Sequence, residues 1–357
     1  MSVAGLVRLR KHQFVRQNVF GTPIAATRAY PYTGVPSVDL QWTDSEVDTG
    51  SIVTTIAPQR GAGEFGASLE DPGLAYDNVP ILMEGFFGGN VNPTGGAAET
   101  WLHEPSAIDP LDDPSDFTYE FGDDVTDDWY QLSDGILTSL TLTGPEGLTP
   151  VTASMEWNFG SARSTGSTDS PVVGTVPTPG LSVETNPALV YGKDMGLYIA
   201  STEAGLGAGQ VSNALHTFEI TFTREWDDKR FFNASQSFDV SDRSITGYAI
   251  EWALTLAKTA DTVGTGSESD AWFSDDAVDR YIRLQFTSTQ IITGATPYSW
   301  RLEGPIRYYT REEGESAGNT VIVLTGHSWY DPDDFDGFFR SSVVNTLTAA
   351  ELGSAAS

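Results

Sequence analysis

The feature that most constrains this chain is a recurrent two-residue alternation of apolar and polar side chains, interrupted at intervals by glycine and proline. Val38-Asp39-Leu40-Gln41-Trp42, Phe218-Glu219-Ile220-Thr221-Phe222 and Ile250-Glu251-Trp252-Ala253-Leu254-Thr255-Leu256 follow it. So do Ile282-Arg283-Leu284-Gln285-Phe286 and Thr320-Val321-Ile322-Val323-Leu324. Successive side chains of a strand point to opposite faces, so each run reads as a strand with one face buried. With 36 Gly and 19 Pro as punctuation, the pattern predicts a mainly β fold, a sandwich or barrel of antiparallel strands. Helix signals are thin. Asp77-Asn78-Val79-Pro80 followed by ILMEGFFGG offers a capping Asp or Asn, an early Pro and terminal glycines, although Gly85 weakens it. Ser274 to Arg280 reads as one or two turns opening on a Ser cap.

Acidity is the second constraint. Asp109 to Asp134, DPLDDPSDFTYEFGDDVTDDWYQLSD, carries ten carboxylates and no Lys or Arg. Phe117, Tyr119 and Phe121 alternate with Thr118 and Glu120, placing the aromatics on one face of a half-buried strand. Gly122, Asp123 and Asp124 supply turn chemistry, and GILTSLTLTG (Gly135 to Gly144) begins a second strand. A catalytic carboxylate pair needs surroundings that push two pKa values apart. Ten acids set mostly in turns read instead as a solvated anionic surface.

The whole chain of 357 residues holds 19 Lys plus Arg against 49 Asp plus Glu, a net charge of −30. Such a surface repels nucleic acid, which argues against a DNA-gripping role. It does not argue against a conduit, because a wall that lets a polyanion slide should not hold phosphates. Residues 1–38 are the exception: they carry Arg8, Arg10, Lys11, Arg16 and Arg28 and no acid. A basic arm on an acidic body suggests contact between subunits, the arm of one meeting the acidic face of another. Cys is absent, which excludes disulfides, thiolate metal sites and Cys nucleophiles. No run approaches the roughly 18 apolar residues of a membrane helix, and the N-terminus lacks an apolar signal segment. A soluble cytosolic product that joins a particle is expected.

Motifs that carry chemistry elsewhere fail here on context. Gly61-Ala62-Gly63-Glu64-Phe65-Gly66 matches G-x-G-x-x-G, but Pro58-Gln59-Arg60 precedes it and Asp71-Pro72-Gly73 breaks the chain after it. A dinucleotide fingerprint needs a strand before and a helix after. Asp331-Pro332-Asp333-Asp334-Phe335-Asp336-Gly337 evokes a calcium loop, yet setting Gly337 at position six puts Pro332 at position one and Val343 at position twelve, and both ligands are lost. His12, His103, His216 and His327 are scattered without metal-ligand spacing, and His216 reads as a hydrogen-bonded structural residue. No nucleophile elbow, Walker loop or H-E-x-x-H is present. The Asn233-Ala234-Ser235 sequon is discounted without a secretory signal. We therefore expect no enzyme activity, no cofactor and no metal.

Two stretches share a strand centred on Glu-Trp, Glu156-Trp157 and Glu251-Trp252, and each then fades into a Ser/Thr/Gly tract. This suggests a duplication, with the Pro/Gly/Thr segment 170–187 as a linker. Nine Trp and 13 Tyr also allow an alternative, a carbohydrate-binding β-sandwich of a virion or secreted protein. A glycosidase would need two carboxylates roughly 5–9 Å apart, a pair the sequence cannot nominate.

The order of Trp101, Asp116 to Asp124, Tyr130, Gly135 to Gly144 and Val151 to Trp157 resembles the major tail tube proteins of long-tailed, siphovirus-like phages, with the acidic turn Thr325 to Phe339 as a second point of likeness. The resemblance spans about residues 38–345. It implies a tail-tube-like β-sandwich or barrel with one or two short helices, a structural virion protein made in the host cytoplasm that self-assembles into stacked rings. DNA passes through the tube without specific binding, and Asp123, Asp124, Asp127 and Asp128 are expected on an acidic lumen. Partners implied are the protein itself, a tape measure protein, a tail terminator and baseplate or tip proteins, with no membrane. The expected divisions are a basic N-terminal arm at 1–37, tube-like domains at 38–169 and 188–345 about the linker, and a flexible C-terminus at 346–357. Two tube domains per chain would close a pseudo-hexameric ring from three chains, and one elaborated domain would need six. Arg8, Arg10, Lys11 and Arg16, with Gly61, Gly63 and Gly66 in a Gly-rich loop at 58–73 that the resemblance makes an extended, mobile hairpin, are expected to join successive rings.

Overall fold

A computed structural model describes residues 10–17, 19–46, 55–88, 96–105, 115–123, 128–164, 181, 183–208, 210–211, 215–229, 240, 242–258, 279–316 and 318–353. The protein is mainly β. In chain order its strands are β1 (Arg10–Arg16), β2 (Arg28–Tyr30), β3 (Thr33–Glu46), β4 (Thr55–Asp71), β5 (Glu99–His103), β6 (Phe117–Asp123), β7 (Asp128–Gly144) and β8 (Thr152–Phe159). They continue as β9 (Ser161–Ser164), β10 (Met195–Ala200), β11 (Leu215–Lys229), β12 (Asp242–Ala257), β13 (Arg280–Thr293), β14 (Thr296–Ser316), β15 (Asn319–Ser328) and β16 (Arg340–Asn345). Helix α1 (Val79–Phe87) lies between β4 and β5, and a short α2 (Ala349–Leu352) follows β16.

The runs in β11, β12 and β13 bury one face as expected, whereas Val38 of the β3 run is exposed and neighbouring Val321 and Ile322 of the β15 run are both buried. In β12, Ile250, Trp252, Leu254 and Leu256 are buried and Glu251 is exposed; in β8, Met155, Trp157 and Phe159 are buried and Glu156 is exposed. Strand β6 departs from the expectation of a half-buried strand. Phe117, Tyr119 and Phe121 are buried, but so are Thr118 and Glu120, because β1 and β7 flank the strand and polar partners cover its second face. The Glu120 carboxylate accepts from Gln13 Nε2 at 3.1 Å and Gln131 Nε2 at 3.2 Å. Nor does Asp134 belong to a solvated surface. It is buried at a positive φ and accepts from Gln17 Nε2 at 3.0 Å and the Gly21 N–H at 2.6 Å.

Among the described residues the named strands pair with one another only antiparallel, and a single parallel bridge links Ala29 of β2 to Val183. One ladder runs β3-β4-β8-β7-β11-β12-β15-β14-β13-β10. The first part of β7 turns away to pair with β6 and β9, and β6 pairs with β1, which pairs with β2. Likewise the first part of β14 pairs with β13 and β16, and β16 takes β5 on its other side.

Helix α1 forms where expected and is buried along its whole length. Its end rests on aromatics of the second half, with Phe86 to Phe222 ring centroids 5.6 Å apart and Phe87 to Phe339 5.0 Å apart. Gly85 is the closest approach: a Cβ there would lie 2.6 Å from Trp157 Cη2. The residue that weakens the helix locally is the one that lets it touch the sheet. Neither Asp77 nor Asn78 caps the helix with its side chain; Asn78 donates to Asp71 at 3.0 Å and Asp77 accepts from the Thr346 N–H at 2.9 Å.

Strands from both sides of 170–187 share one sheet and one hydrophobic core, from Phe14 through Trp157 and Phe222 to Leu352. Most of that segment lies outside the described residues. The expected turns at 274–280 lie outside them up to residue 278, and Arg280 opens β13. The expected arm at 1–37 is, from Arg10 on, part of the fold through β1, β2 and the start of β3. The region 58–73 is one arm of an extended hairpin rather than a free loop: most of it is strand β4, paired with β3 and also with β8. In the expected C-terminus, 346–353 is ordered, with α2 closed by a capping box between Thr348 and Glu351.

Candidate functional site

The sheet repeats itself. β3 and β4 form a hairpin, and so do β11 and β12. β4 pairs with β8 as β12 pairs with β15. β6 and β7 pair as β13 and β14 do, and β1 lies on β6 as β10 lies on β13. The long strands β7 and β14 each bend, pairing with the next strand, β8 or β15, through their second part, and with a returning strand, β9 or β16, through their first. Seven strands of one half therefore have seven counterparts in the other, with every pairing among those seven conserved, while β2 on β1 and β5 on β16 stand outside the repeat.

The repeat also holds at the level of register. Ala67, Trp157 and Leu137 lie side by side across β4, β8 and β7, as Trp252, Gly326 and Tyr308 do across β12, β15 and β14. In both long strands the next residue is skipped by a bulge, between Leu137 and Ser139 and between Tyr308 and Thr310. A bulge is a specific irregularity, so its recurrence at the same place fixes the correspondence. The duplication suggested by the two Glu-Trp dipeptides is thus present as topology, but those dipeptides are not counterparts. Trp157 corresponds to Gly326, and Trp252 to Ala67.

One pairing joins the two sets of seven strands to each other. The second part of β7 takes β11 on its outer edge, with Phe218 opposite Gly144, Ile220 opposite Leu142 and Phe222 opposite Leu140. This joint between the units is apolar and tight: Gly144 leaves room for the Phe218 ring, since a Cβ there would lie 1.8 Å from Phe218 Cε1. The counterpart of β7 is β14, and the counterpart of β11 is β3. Among the described residues no strand pairs with the outer edge of β14 over 310–316 or with the outer edge of β3. The β3 edge also carries exposed apolar side chains, Val35 at 54% and Val38 at 43%, whereas Tyr309 of β14 lies back across the sheet and donates to Glu251 of β12 at 3.1 Å. Unpaired strand edges are templates for another chain. The β14 edge is charged: Glu312 and Glu315 are exposed, and Glu313 accepts from Lys258 and Arg311 at 3.0 Å each, which holds its carboxyl below the usual range.

The groups with the strongest electrostatic perturbation lie elsewhere, in the core. Glu84 of α1 is fully buried, with Arg16, His103 Nε2 at 3.0 Å and Ser115 Oγ at 2.9 Å on its carboxylate. Burial works to raise its pKa, but the hydrogen bond and charge of His103, the Arg16 guanidinium and Ser115 outweigh it and hold it at about 2. His12, against Tyr119 Oη at 2.8 Å, is pushed down to about 4 by burial and then by the charge of Arg10. Arg224 is buried and donates to the carbonyls of Phe86 at 2.6 Å and Gly85 at 3.2 Å, closing the C-terminal end of α1. The Glu84 and Arg224 clusters tie α1 to the sheet, and the His12–Tyr119 pair ties β1 to β6.

The residues expected to join rings divide sharply. Arg16 is buried against Glu84 and has nothing to offer a second subunit, which corrects its assignment to an arm. Arg10 is exposed and lies over the Phe121 ring at 5.5 Å; Lys11 is half-buried in β1. Arg8 lies outside the described residues. Gly61, Gly63 and Gly66 are in β4, with Gly63 opposite Leu40 and Gly66 opposite Ser37 in the hairpin with β3. Asp124 and Asp127 lie outside the described residues, as do the side chains of Asp123 and Asp128 at the ends of β6 and β7.

The acidic turn at 331–337 satisfies itself. Asp331 accepts the N–H groups of Asp333, Asp334 and Phe335 and the Tyr281 hydroxyl, which closes the turn on its carboxylate. No group of three metal-ligating side chains occurs among the described residues. His216 Nδ1 lies 3.3 Å from the Glu146 carboxylate, hydrogen-bonded as expected. Of the tryptophans, Trp101, Trp129, Trp157, Trp252 and Trp300 are core residues. Sequence reasoning passed over the β3 and β14 edges, because the signal that marks them is the missing member of a repeated set of pairings. No protein-family model matches the chain, and no curated protein matches it in sequence.

Proposed function

We propose that the protein is a structural, tube-forming protein of the phage tail-tube kind, in which β14 of one chain pairs with β3 of the next until a ring closes. One observation carries the reading: the chain makes the β7–β11 joint once internally and leaves both halves of a second such joint open at its two ends. A heterologous contact of this kind builds rings when its rotation closes. Carrying the internal register across sets Val38 opposite Arg311, Ser37 opposite Glu312 and Val35 opposite Gly314. Each chain supplies eight strands to such a wall, β3-β4-β8-β7-β11-β12-β15-β14. The resemblance implies six tube units per ring, so two units per chain call for three chains. Stacked rings then enclose a channel whose acidity, consistent with the net charge of −30, keeps DNA mobile by repelling its phosphates.

The natural absence of Cys makes a direct test clean. Opposed residues of an antiparallel pair have Cα atoms about 4.5–5.5 Å apart, within disulfide reach. A Ser37→Cys/Glu312→Cys double variant, oxidised at about 1 M NaCl to screen charge, should give a non-reducing ladder that ends at three chains. A chain that stays monomeric would refute the edge pairing, and a ladder running past three would refute closure at three.

A further inference from the structure

We infer that ring closure is controlled by ionic strength: the joint between chains is opposed by like charge at low salt, whereas the equivalent joint within each chain is not. The inference rests on the edge pairing proposed above. Inside the chain the core-facing residues of the joint are Phe218, Ile220 and Phe222 against Gly144, Leu142 and Leu140. Their counterparts between chains are Gly34, Pro36 and Val38 against Glu315, Glu313 and Arg311. The five large apolar side chains become a glycine, a proline, a valine and two charged groups, and Gly144 becomes a third charged residue, Glu315. On the other face Thr221 against Thr141 becomes Ser37 against Glu312, and Thr223 against Ser139 becomes Asp39 against Thr310.

Charge on the two edges is unbalanced. Residues 310–316 carry Arg311 against Glu312, Glu313 and Glu315; residues 33–39 carry Asp39 and no Lys or Arg. Arg311 and Lys258 are already committed to Glu313, so Glu312 and Glu315 meet an edge without a cation of its own. Glu64 and Glu70 of β4, exposed one strand further in, add to the same field. Beyond the edges, each chain brings a net charge of −30, and self-repulsion of that size acts against any assembly of identical copies. What favours closure is backbone hydrogen bonding and the modest burial of Val35 and Val38, none of which depends strongly on salt. The Debye length falls from about 10 Å at 0.1 M to about 3 Å at 1 M salt, comparable with one strand spacing. Over that range repulsion between neighbouring edges is removed while the hydrogen bonds stay.

The test is the critical concentration for assembly, followed by light scattering and sedimentation velocity across a NaCl series. The wild-type chain should assemble at a concentration at least tenfold lower at about 1 M than at about 0.1 M NaCl. The Glu312→Gln/Glu315→Gln variant should move that transition to lower salt. A control with the same change of charge outside the joint, Glu225→Gln/Asp227→Asn on exposed positions of β11, should move it much less. Assembly whose critical concentration is flat in salt, or rises with it, would overturn the inference while leaving the edge pairing intact. Equal shifts from the variant and the control would overturn the assignment to this joint. A chain that forms no rings at any salt would overturn the tube reading and this inference with it.

Discussion

Replacing Glu84 with Gln probes the buried charge that fastens α1 to the sheet. Gln keeps the shape and one accepting oxygen but removes the negative charge that Arg16, His103 and Ser115 converge on. The wild-type carboxyl titrates at about 2 in the fold against 4.5 when free. At about 1.4 kcal/mol per unit, that displacement corresponds to about 3 kcal/mol of stability, an order-of-magnitude figure for so buried a group. Its sign is definite: a depressed carboxyl pKa stabilises fully above the unfolded value, and the contribution drains away as pH falls from 4.5 through about 2. Removing one member of a buried pair costs about 3–5 kcal/mol, since the partner charge is stranded. Urea unfolding followed by tryptophan fluorescence should therefore place Glu84→Gln about 3 kcal/mol below wild type near neutral pH. The gap should shrink towards zero on approaching pH 2, because the wild type loses what the variant never had. Taking the difference cancels the many surface carboxylates common to both proteins. A gap that stays constant down to low pH would refute the claim that Glu84 is held ionised in the core.

Two further substitutions test how α1 is seated, alongside the cross-linking and salt experiments on the sheet edges. Gly85→Ala should destabilise by about 1–3 kcal/mol although Ala is the better helix former, because its methyl meets the Trp157 ring; a stabilised variant in thermal unfolding would show that the helix has room to shift. Arg224→Met should cost about 2–4 kcal/mol by leaving the carbonyls of Gly85 and Phe86 unpaired in the core, and Arg224→Lys should recover only part of it, since an ammonium cannot reproduce the two-pronged guanidinium geometry. Full recovery by Lys would show that charge alone matters at this site.

Much of the fold was legible in the sequence because its signals are local. Every period-two run singled out became a strand, and the Asp77 to Gly89 stretch produced the main helix despite Gly85. Burial of polar residues was not legible. Glu120, Asp134 and Glu84 look like any other acids until Gln13 and Gln131, Gln17, and Arg16 and His103 are brought to them from distant parts of the chain. Arg16 is the sharpest case. Beside Arg8, Arg10 and Lys11 it reads as part of a basic arm, and only the strand pairing of β1 with β6 turns it inward towards a carboxylate 68 positions away.

The repeat marks the boundary between what the sequence by itself determined and what tertiary structure decided. Alternation, Gly/Pro punctuation and charge determined a mainly β, strongly acidic chain without cysteine chemistry, because each is a property of neighbouring residues or of simple counts. Which strand lies beside which was decided by long-range hydrogen bonding, and backbone hydrogen bonds are indifferent to side-chain identity. Two units can therefore share every pairing and a bulge while placing Trp157 where the other has Gly326. The open edges of β3 and β14 follow from that pairing alone, so they become visible only once the sheet is assembled and one of its joints is found without a partner.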